Sequence, residues 1–273
     1  MEESERRVAV VGDDDRADTL REAVRDAGGR LVAAGDVAAT PDEAAGSDGG
    51  PNATADSTPT ADSVPDATLA VGETATRSAL RDATTETVIP LGTHRLAFGV
   101  DGAAAQIRRL LAALDAPVDG IGRVSHPILA VDAGTQPTYR AVADVALVTE
   151  EPARISEFSV RPARGRAESF RADGVTVATP FGSGGYANAV GGPIVELGGG
   201  LSVVPIAPFT TRTDARVAAE RVTLSVERET EPVSLVVDGT VRETVDPHRP
   251  IEIAVRGQVD ALVPASSASP RPE

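Results

Sequence analysis

The stretch from Asp173 to Pro193 reads D-G-V-T-V-A-T-P-F-G-S-G-G-Y-A-N-A-V-G-G-P. Its first half alternates small polar and β-branched residues, which is typical of a half-buried strand. A cluster of glycines around Ser183 then predicts a bend, and Tyr186–Val190 favours a short helix. A strand, a glycine bend and a helix start present backbone N–H groups to an anion at close range. The stretch therefore predicts a nucleotide site.

The same stretch resembles the signature of NAD kinases, in which D-G is followed by T-P-x-G-S-x-x-Y and then by G-G-P. The resemblance implies a member of that superfamily with NAD as its ligand. It implies that Tyr186 packs on the nucleotide and that Ser183 hydrogen-bonds it. The residues that match the pattern and are expected at the nucleotide are Asp173, Thr179, Gly182, Ser183 and Tyr186.

Three residues of the glycine bend depart from the family pattern. Phe181 stands where the family has a small hydroxyl residue, and Gly184-Gly185 replace a Thr-Ala type pair. We expect one hydrogen bond fewer to the ligand and a more flexible loop.

Composition excludes several classes of function. The formal net charge of −15 disfavours nucleic acid and anionic membranes as partners. The chain has no Cys, and all 26 of its basic residues are Arg, so it has no thiol nucleophile, no Schiff-base lysine and no Walker-type phosphate loop. An acidic chain without Lys fits adaptation to high salt, and it fits equally a high-GC coding bias. With no long apolar run and no apolar leader, we expect a soluble, cytoplasmic protein.

The hydrophobic pattern predicts two domains. Strands at Arg7–Val11, Ala67–Val71 and Thr87–Leu91 alternate with helical segments, which predicts an α/β domain with a parallel sheet over residues 5–117. Within it, residues 41–65 have almost no large apolar side chain and predict a disordered insertion.

After Pro117 the pattern changes to short alternating strands, which predicts an antiparallel β-rich domain over residues 118–263. Residues 264–273 are expected to form a flexible tail. The expected strands are Ile128–Val131, Ala141–Val148, Arg154–Val160, Gly174–Thr179, Leu201–Ile206, Arg221–Val226, Val233–Val237 and Ile251–Val255. An α/β domain followed by a larger β-rich domain, with the NAD-binding residues in the second, is also the NAD kinase-like fold that the resemblance implies.

In the family, a G-G-D-G loop after a strand of the first domain carries the aspartate that activates the 2′-hydroxyl of the adenosine ribose. The matching place here is Val71-Gly72-Glu73-Thr74, which keeps one glycine and replaces the aspartate by Glu73. The resemblance makes Glu73 the candidate base or metal-linked acid, with Gly72 and Thr74 at the nucleotide. Because Val71 and Thr74 add bulk and glutamate is one methylene longer, the loop is degenerate, and a solvated glutamate at a strand end is the alternative.

A second family motif is an N-E pair that holds the hydroxyls of the adenosine ribose. We place it at Thr149-Glu150, with Glu151 as an alternative register. Without the resemblance, these acids would mark an exposed strand end. The later Asp238-Gly239 resembles another D-G of the family, but it also suits a type I′ hairpin turn, which is the preferred explanation.

No metal site is predicted, because His94, His126 and His248 are scattered and expected at the surface. The resemblance implies an NAD kinase that uses ATP or polyphosphate with Mg²⁺ or a similar divalent cation, and a homo-oligomer, dimer or tetramer. A degenerate relative that binds a nucleotide without turnover is the second hypothesis, and a lipid kinase of a related superfamily branch is a third.

Overall fold

The computed structural model describes residues 6–12, 15–33, 64–82, 85–135, 138–151, 154–209 and 214–268. The chain divides into two compact units, residues 1–121 and 122–273. Apart from Val64 and Pro65, the predicted disordered insertion at 41–65 lies outside the described residues.

The N-terminal unit is an α/β domain with a parallel sheet, as predicted. Among the described residues of this unit, the strands run in the order β2-β1-β3-β4, and each neighbouring pair is parallel. The elements are β1 (Arg7–Val11), α1 (Asp15–Asp26), β2 (Arg30–Leu31), β3 (Ala67–Val71), α2 (Glu73–Asp82), β4 (Thr87–Leu91) and α3 (Val100–Ala112).

The apolar runs explain this sheet. Every residue of β3 and β4 is buried, which is what the near-continuous apolar strands of a parallel sheet require. The helices bury one face each, and the buried positions of α3 include Ile107, Leu110 and Leu111.

An ion pair joins the starts of β1 and β3. The carboxylate of Asp66 accepts hydrogen bonds from the backbone N–H and the guanidinium of Arg7, each at 2.8 Å. Burial raises the pKa of the Asp66 carboxyl, but the hydrogen bonds and charge of Arg7 outweigh burial and hold that pKa below its ordinary value.

The C-terminal unit consists of two antiparallel sheets around one core, which confirms the predicted β-rich domain. One sheet has the order β12-β11-β10-β7-β14-β15, and the other contains β16-β13-β8-β9, with β5 paired to β16 and β6. The strands are β5 (Ile121–Asp132), β6 (Tyr139–Ala141), β7 (Asp144–Thr149), β8 (Ser156–Pro162), β9 (Glu168–Ala172), β10 (Gly174–Ala178), β11 (Leu201–Ile206), β12 (Arg216–Ala218), β13 (Arg221–Arg228), β14 (Val233–Val237), β15 (Thr240–Val245) and β16 (Ile251–Pro264), and the helices are α4 (Tyr186–Ala189) and α5 (Ala265–Ala268).

The core of this unit lies between the two sheets. Alternate residues of both sheets form one buried cluster, in which Leu147 and Val177 from the first sheet join Phe158 and Leu224 from the second. Such alternation is the expected signature of two packed sheets.

Three details differ from the sequence prediction. The predicted strand Ala141–Val148 is two strands, because β6 ends at Ala141 and β7 begins at Asp144. Strands β9, β12 and β15 were not predicted. In the predicted tail, Pro264 ends β16 and Ala265–Ala268 form a helical turn, while residues 269–273 lie outside the described part of the chain.

Membrane insertion through a helix finds no support in the described residues. Not one of their helices combines the length and the apolar character that crossing a bilayer requires.

We expect the Asp66→Asn variant to be less stable than the parent at neutral pH. Because the folded pKa lies below the unfolded one, the stabilisation is complete above the unfolded value of about 4 and is lost as the pH falls through the folded value. The difference in unfolding free energy between the two proteins, measured by urea denaturation, should therefore be constant from pH 7 to about pH 5 and shrink below about pH 4. The exposed pair Asp18–Arg21 provides the control, since Asp18→Asn should change stability by at most about 0.5 kcal/mol.

Thr176, at the centre of β10, is fully buried, and its hydroxyl has no hydrogen-bond partner among the described residues. Thr176→Val removes this desolvated hydroxyl at constant shape, so it should raise the free energy of unfolding by about 1 kcal/mol. Thr179→Val is the matched control, because it deletes a hydroxyl that is hydrogen-bonded and should cost about 1–3 kcal/mol. Equal effects of the two changes in thermal unfolding would contradict this assignment.

Candidate functional site

The glycine-rich stretch forms a strand, a tight turn and a short helix, in the order that the sequence predicts. Strand β10 leads into the turn at Thr179–Phe181, a 3-10 turn follows at Gly182–Gly184, and α4 begins at Tyr186. The strand is completely buried between β7 and β11. Its first residue must be glycine, because a Cβ at position 174 would lie 2.4 Å from the Leu147 carbonyl oxygen.

Thr179 fixes the start of the turn from inside the protein. Its side chain is fully buried, and its hydroxyl donates to the Val142 carbonyl at 2.6 Å and accepts from the Gly182 N–H at 3.2 Å. Its backbone N–H donates to the Ala143 carbonyl at 2.9 Å. Thr179 thus ties the turn to the segment between β6 and β7.

Gly182 and Ser183 complete the turn. A Cβ at position 182 would lie 2.1 Å from the Ala143 carbonyl oxygen, so only glycine fits there. The fully buried hydroxyl of Ser183 donates to the Pro180 carbonyl and accepts from the Val195 N–H, both at 2.9 Å. The hydroxyls of Thr179 and Ser183 are therefore used within the protein, whereas the sequence analysis expected Ser183 to hydrogen-bond the nucleotide.

The exposed part of the stretch is the end of the turn and the start of α4. Gly184 and Gly185 are exposed, and the side chain of Tyr186 is 47% exposed. This is the surface that a ligand can reach, and Tyr186 offers it an aromatic ring on which a nucleotide can pack.

An acidic residue that the sequence analysis did not select lies beside this turn. Asp144, the first residue of β7, pairs with Ala178, the last residue of β10, and is partly buried. The signal was present in the sequence, because Asp144 is the one acid inside the apolar run Ala141–Val148.

Thr149, Glu150 and Asp173 lie at the opposite end of the same strands. Gly174 pairs with Val148, and a strand of the length of β7 spans roughly 17 Å. The structure therefore separates these three residues from the glycine turn instead of grouping them with it.

The three residues at this far end are held by local contacts. The Thr149 hydroxyl lies 3.1 Å from both the Glu151 and the Asp173 carbonyl oxygens, and Thr149 is buried. Glu150 is exposed, and its carboxylate accepts a hydrogen bond from Ser234 at 3.2 Å. Thr149 thus has a structural contact in place of a free hydroxyl, while Glu150 stays accessible to a ligand.

In the N-terminal unit, Gly72 connects β3 to α2. Its φ of +86° is a conformation that favours glycine, and its carbonyl accepts from the Thr76 hydroxyl at 2.8 Å. Glu73 and Thr74 form the exposed first turn of α2, where the helix dipole favours a negative charge. The Glu73 carboxylate forms an ion pair with Arg77, one turn along the helix.

Glycines with positive φ follow all three long parallel strands. Gly12 follows β1, Gly72 follows β3 and Gly92 follows β4, so all three lie at the carboxyl edge of the sheet. Ligands of parallel α/β sheets bind at this edge, which makes it a second candidate surface.

The sequence analysis expected all three histidines at the surface, but one of them is buried. His126 is buried, with Nε2 3.4 Å from the Thr179 hydroxyl and its ring edge-on to Phe181. In the part of the chain that the structure describes, no three His, Asp or Glu side chains converge in a way that suits a metal ion.

Comparison with known proteins identifies both sequence relatives and structural neighbours. Residues 142–261 match the family described as the ATP-NAD kinase C-terminal domain. An NAD kinase of Methanospirillum hungatei is 35% identical over 116 residues, which are 42% of this chain and 43% of that protein. A bifunctional NADP phosphatase/NAD kinase of Methanocaldococcus jannaschii is 37% identical over 112 residues, 40% of this chain and 19% of that protein. Both matches thus span less than half of the relative's length.

Two solved structures share the fold over nearly the whole chain. An NAD kinase from Archaeoglobus fulgidus in complex with ATP aligns with a TM-score of 0.64 at 20% identity, covering 94% of this chain and 92% of the other. Yeast NADH kinase complexed with NADH aligns with a TM-score of 0.69 at 16% identity, covering 96% and 84%. These similarities confirm the predicted fold class.

Because a Cβ has no room at position 182, Gly182→Ala should displace the Ala143 carbonyl and lower the free energy of unfolding by about 1–3 kcal/mol. Gly257→Ala is the control in the same unit, since its Cβ would meet Ile128 at an ordinary 3.7 Å. The control should change stability by less than about 0.5 kcal/mol in the same urea titration. A Gly182→Ala protein as stable as the parent would show that the turn is not constrained by this contact.

Proposed function

We propose that this chain, a member of the NAD kinase family through its C-terminal domain, phosphorylates NAD at the 2′-hydroxyl of the adenosine ribose to give NADP. The observation that carries the proposal is the glycine turn with an acid beside it: Asp144 lies opposite Ala178, next to the turn at Thr179–Ser183. This turn belongs to the segment that matches the family.

In this proposal the buried and the exposed residues of the turn have different tasks. Thr179, Gly182 and Ser183 hold the backbone in place, because their side chains or Cα positions are packed inside the protein. Gly184, Gly185 and Tyr186 form the surface against which the nucleotide lies. The work of the C-terminal domain is thus to position NAD.

Asp144 takes the task that the resemblance assigned to the N-E pair. A carboxylate accepts hydrogen bonds from two neighbouring ribose hydroxyls, which is what holding a ribose requires. Asp144 is the acid that the structure has beside the glycine turn, opposite Ala178. Glu150 and Asp173, at the other end of β7 and β10, keep a proposed role at a more distant part of the ligand.

The first domain supplies the candidate base. Glu73 is exposed at the N-terminus of α2, where it accepts a proton in the role that the family gives to an aspartate. Gly72 and Thr74 flank it at the carboxyl edge of the parallel sheet. The donor is ATP or polyphosphate.

In this proposal a divalent ion neutralises charge at the phosphates of the donor. Among the described residues no three carboxylates or imidazoles converge, and Mg²⁺ ordinarily binds through one or two carboxylates together with substrate phosphates. A divalent ion would therefore enter as a complex with the phosphates of the donor.

The second candidate function is binding of NAD without turnover. One observation favours it: Val71 and Thr74 replace glycines of the family loop, and the carboxylate of Glu73 is engaged in an ion pair with Arg77. We also propose a homo-oligomer, which rests on the family resemblance, and a cytoplasmic, salt-adapted protein, which rests on the composition.

The test is NADP formation by the purified chain with NAD, Mg²⁺ and either ATP or polyphosphate in high salt, beside a calorimetric titration with NAD. Asp144→Asn should raise the KM for NAD about tenfold or more, because one hydrogen bond from a ribose hydroxyl to a charged group is lost. Glu73→Gln should lower kcat about a hundredfold or more, with little change in KM, because it removes the base.

Two further variants make this test selective. Exposed Glu229 serves as the neutral control, and Glu229→Gln should leave both constants within about twofold. If Glu150→Gln raised the KM for NAD as much as Asp144→Asn does, the ribose would have to be assigned to Thr149-Glu150 instead of Asp144. Binding of NAD without NADP formation would support the second candidate function, and the absence of both would overturn the two together.

A further inference from the structure

Asp238 occupies the corner of the β14–β15 hairpin, but its side chain points away from solvent. Asp238 and Gly239 have φ angles of +49° and +81°, which suit the two central residues of a type I′ turn. Only 8% of Asp238 is exposed. A residue that served the turn alone would have no reason to bury its carboxylate.

The carboxylate of Asp238 receives three consecutive backbone N–H groups. Its Oδ1 lies 2.8 Å from the Ala143 nitrogen and 3.2 Å from the nitrogens of Val142 and Asp144, and its Oδ2 lies 3.1 Å from the Val142 nitrogen. Successive N–H groups that converge in this way form a concave site for an anion. Here the anion is a side chain of the protein itself.

The opposite side of the same segment is held by Thr179. The carbonyl oxygens of Val142 and Ala143 accept from the hydroxyl and the backbone N–H of Thr179, respectively. Residues 142–144 are thus fixed by an acceptor on one side and by donors on the other. This arrangement explains why the predicted strand Ala141–Val148 breaks at this point.

We propose that Asp238 is a positioning residue of the nucleotide site, which sets residues 142–144 and through them both Asp144 and the turn at Thr179–Ser183. The inference rests on the proposed function only in taking Asp144 and this turn as the place where NAD binds. Asp238 itself touches no substrate. Its effect is transmitted by the backbone of Val142, Ala143 and Asp144.

The Asp238→Asn variant distinguishes the positioning of residues 142–144 from a role in the type I′ turn alone. Asn-Gly is at least as good as Asp-Gly in a type I′ turn, so a turn residue would tolerate the change. A carboxamide, in contrast, has one oxygen in place of two, no charge, and an NH₂ group that would face backbone N–H groups. A neutral outcome therefore favours the turn, and a damaging outcome favours the positioning role.

The first readout is amide hydrogen exchange, followed residue by residue by NMR. In the parent protein the amides of Val142 and Ala143 should be strongly protected, although they lie between strands, and fast exchange there would overturn the proposal before any variant is made. In Asp238→Asn these amides, and those of Thr179 and Ser183, should exchange at least about tenfold faster under conditions where the fold is intact.

The second readout is the dissociation constant for NAD, which should rise about tenfold or more in Asp238→Asn. Asp246→Asn is the matched control, because it removes an exposed carboxylate just after the same hairpin and should change neither readout. Leu235→Val, at a fully buried core position of β14, controls for lost stability: it should lower the Tm without weakening NAD binding.

The two readouts test different parts of the proposal: amide exchange tests the positioning of the turn, and the dissociation constant tests its effect on NAD binding. Faster exchange with unchanged NAD affinity would overturn the functional part of the proposal, since residues 142–144 would then be free to move without consequence for the ligand. A parent protein that binds no NAD would overturn the proposed function, while the exchange of residues 142, 143, 179 and 183 would still decide whether Asp238 positions the turn.

Discussion

The hydrogen bonds that hold residues 142–144 are the interaction on which the rest of the C-terminal domain's site depends. Asp238 accepts the N–H groups of this segment and Thr179 donates to its carbonyls, so that three distant parts of the chain meet in one place. The close approach is possible because position 182 has no side chain. The turn at Thr179–Ser183 and the start of β7 are both tied to this junction.

Much of the fold follows from the hydrophobic pattern alone. The strands Arg7–Val11, Ala67–Val71 and Thr87–Leu91 agree with the sequence prediction to the residue, because apolar runs bounded by glycine and polar turns leave little choice. Strands β9 and β12 were not predicted, because neither of them is an apolar run. Each is short and contains charged residues, and each is ordered by pairing with neighbouring strands.

The candidate site was predicted only in part, for a reason that lies in tertiary structure. The glycine turn was visible because its residue types are unusual. The choice between Glu150 and Asp144 as the acid beside it was not, since both stand at ends of β7, and only the register with β10 tells which end meets the turn. The break at Val142–Ala143 was hidden for a similar reason, because its cause is a carboxylate 95 residues later in the chain.

The late place of Asp238 in the sequence also bears on how the domain is made. During synthesis from the N-terminus, the turn at Thr179–Ser183 leaves the ribosome well before the acid that completes its support. Contacts between such distant residues form slowly, since the entropy of closing the intervening loop is lost before the contact stabilises anything. We therefore expect the surface proposed for the nucleotide to form late, and a chain interrupted before the β14–β15 hairpin to have the whole signature stretch without the acid that supports it.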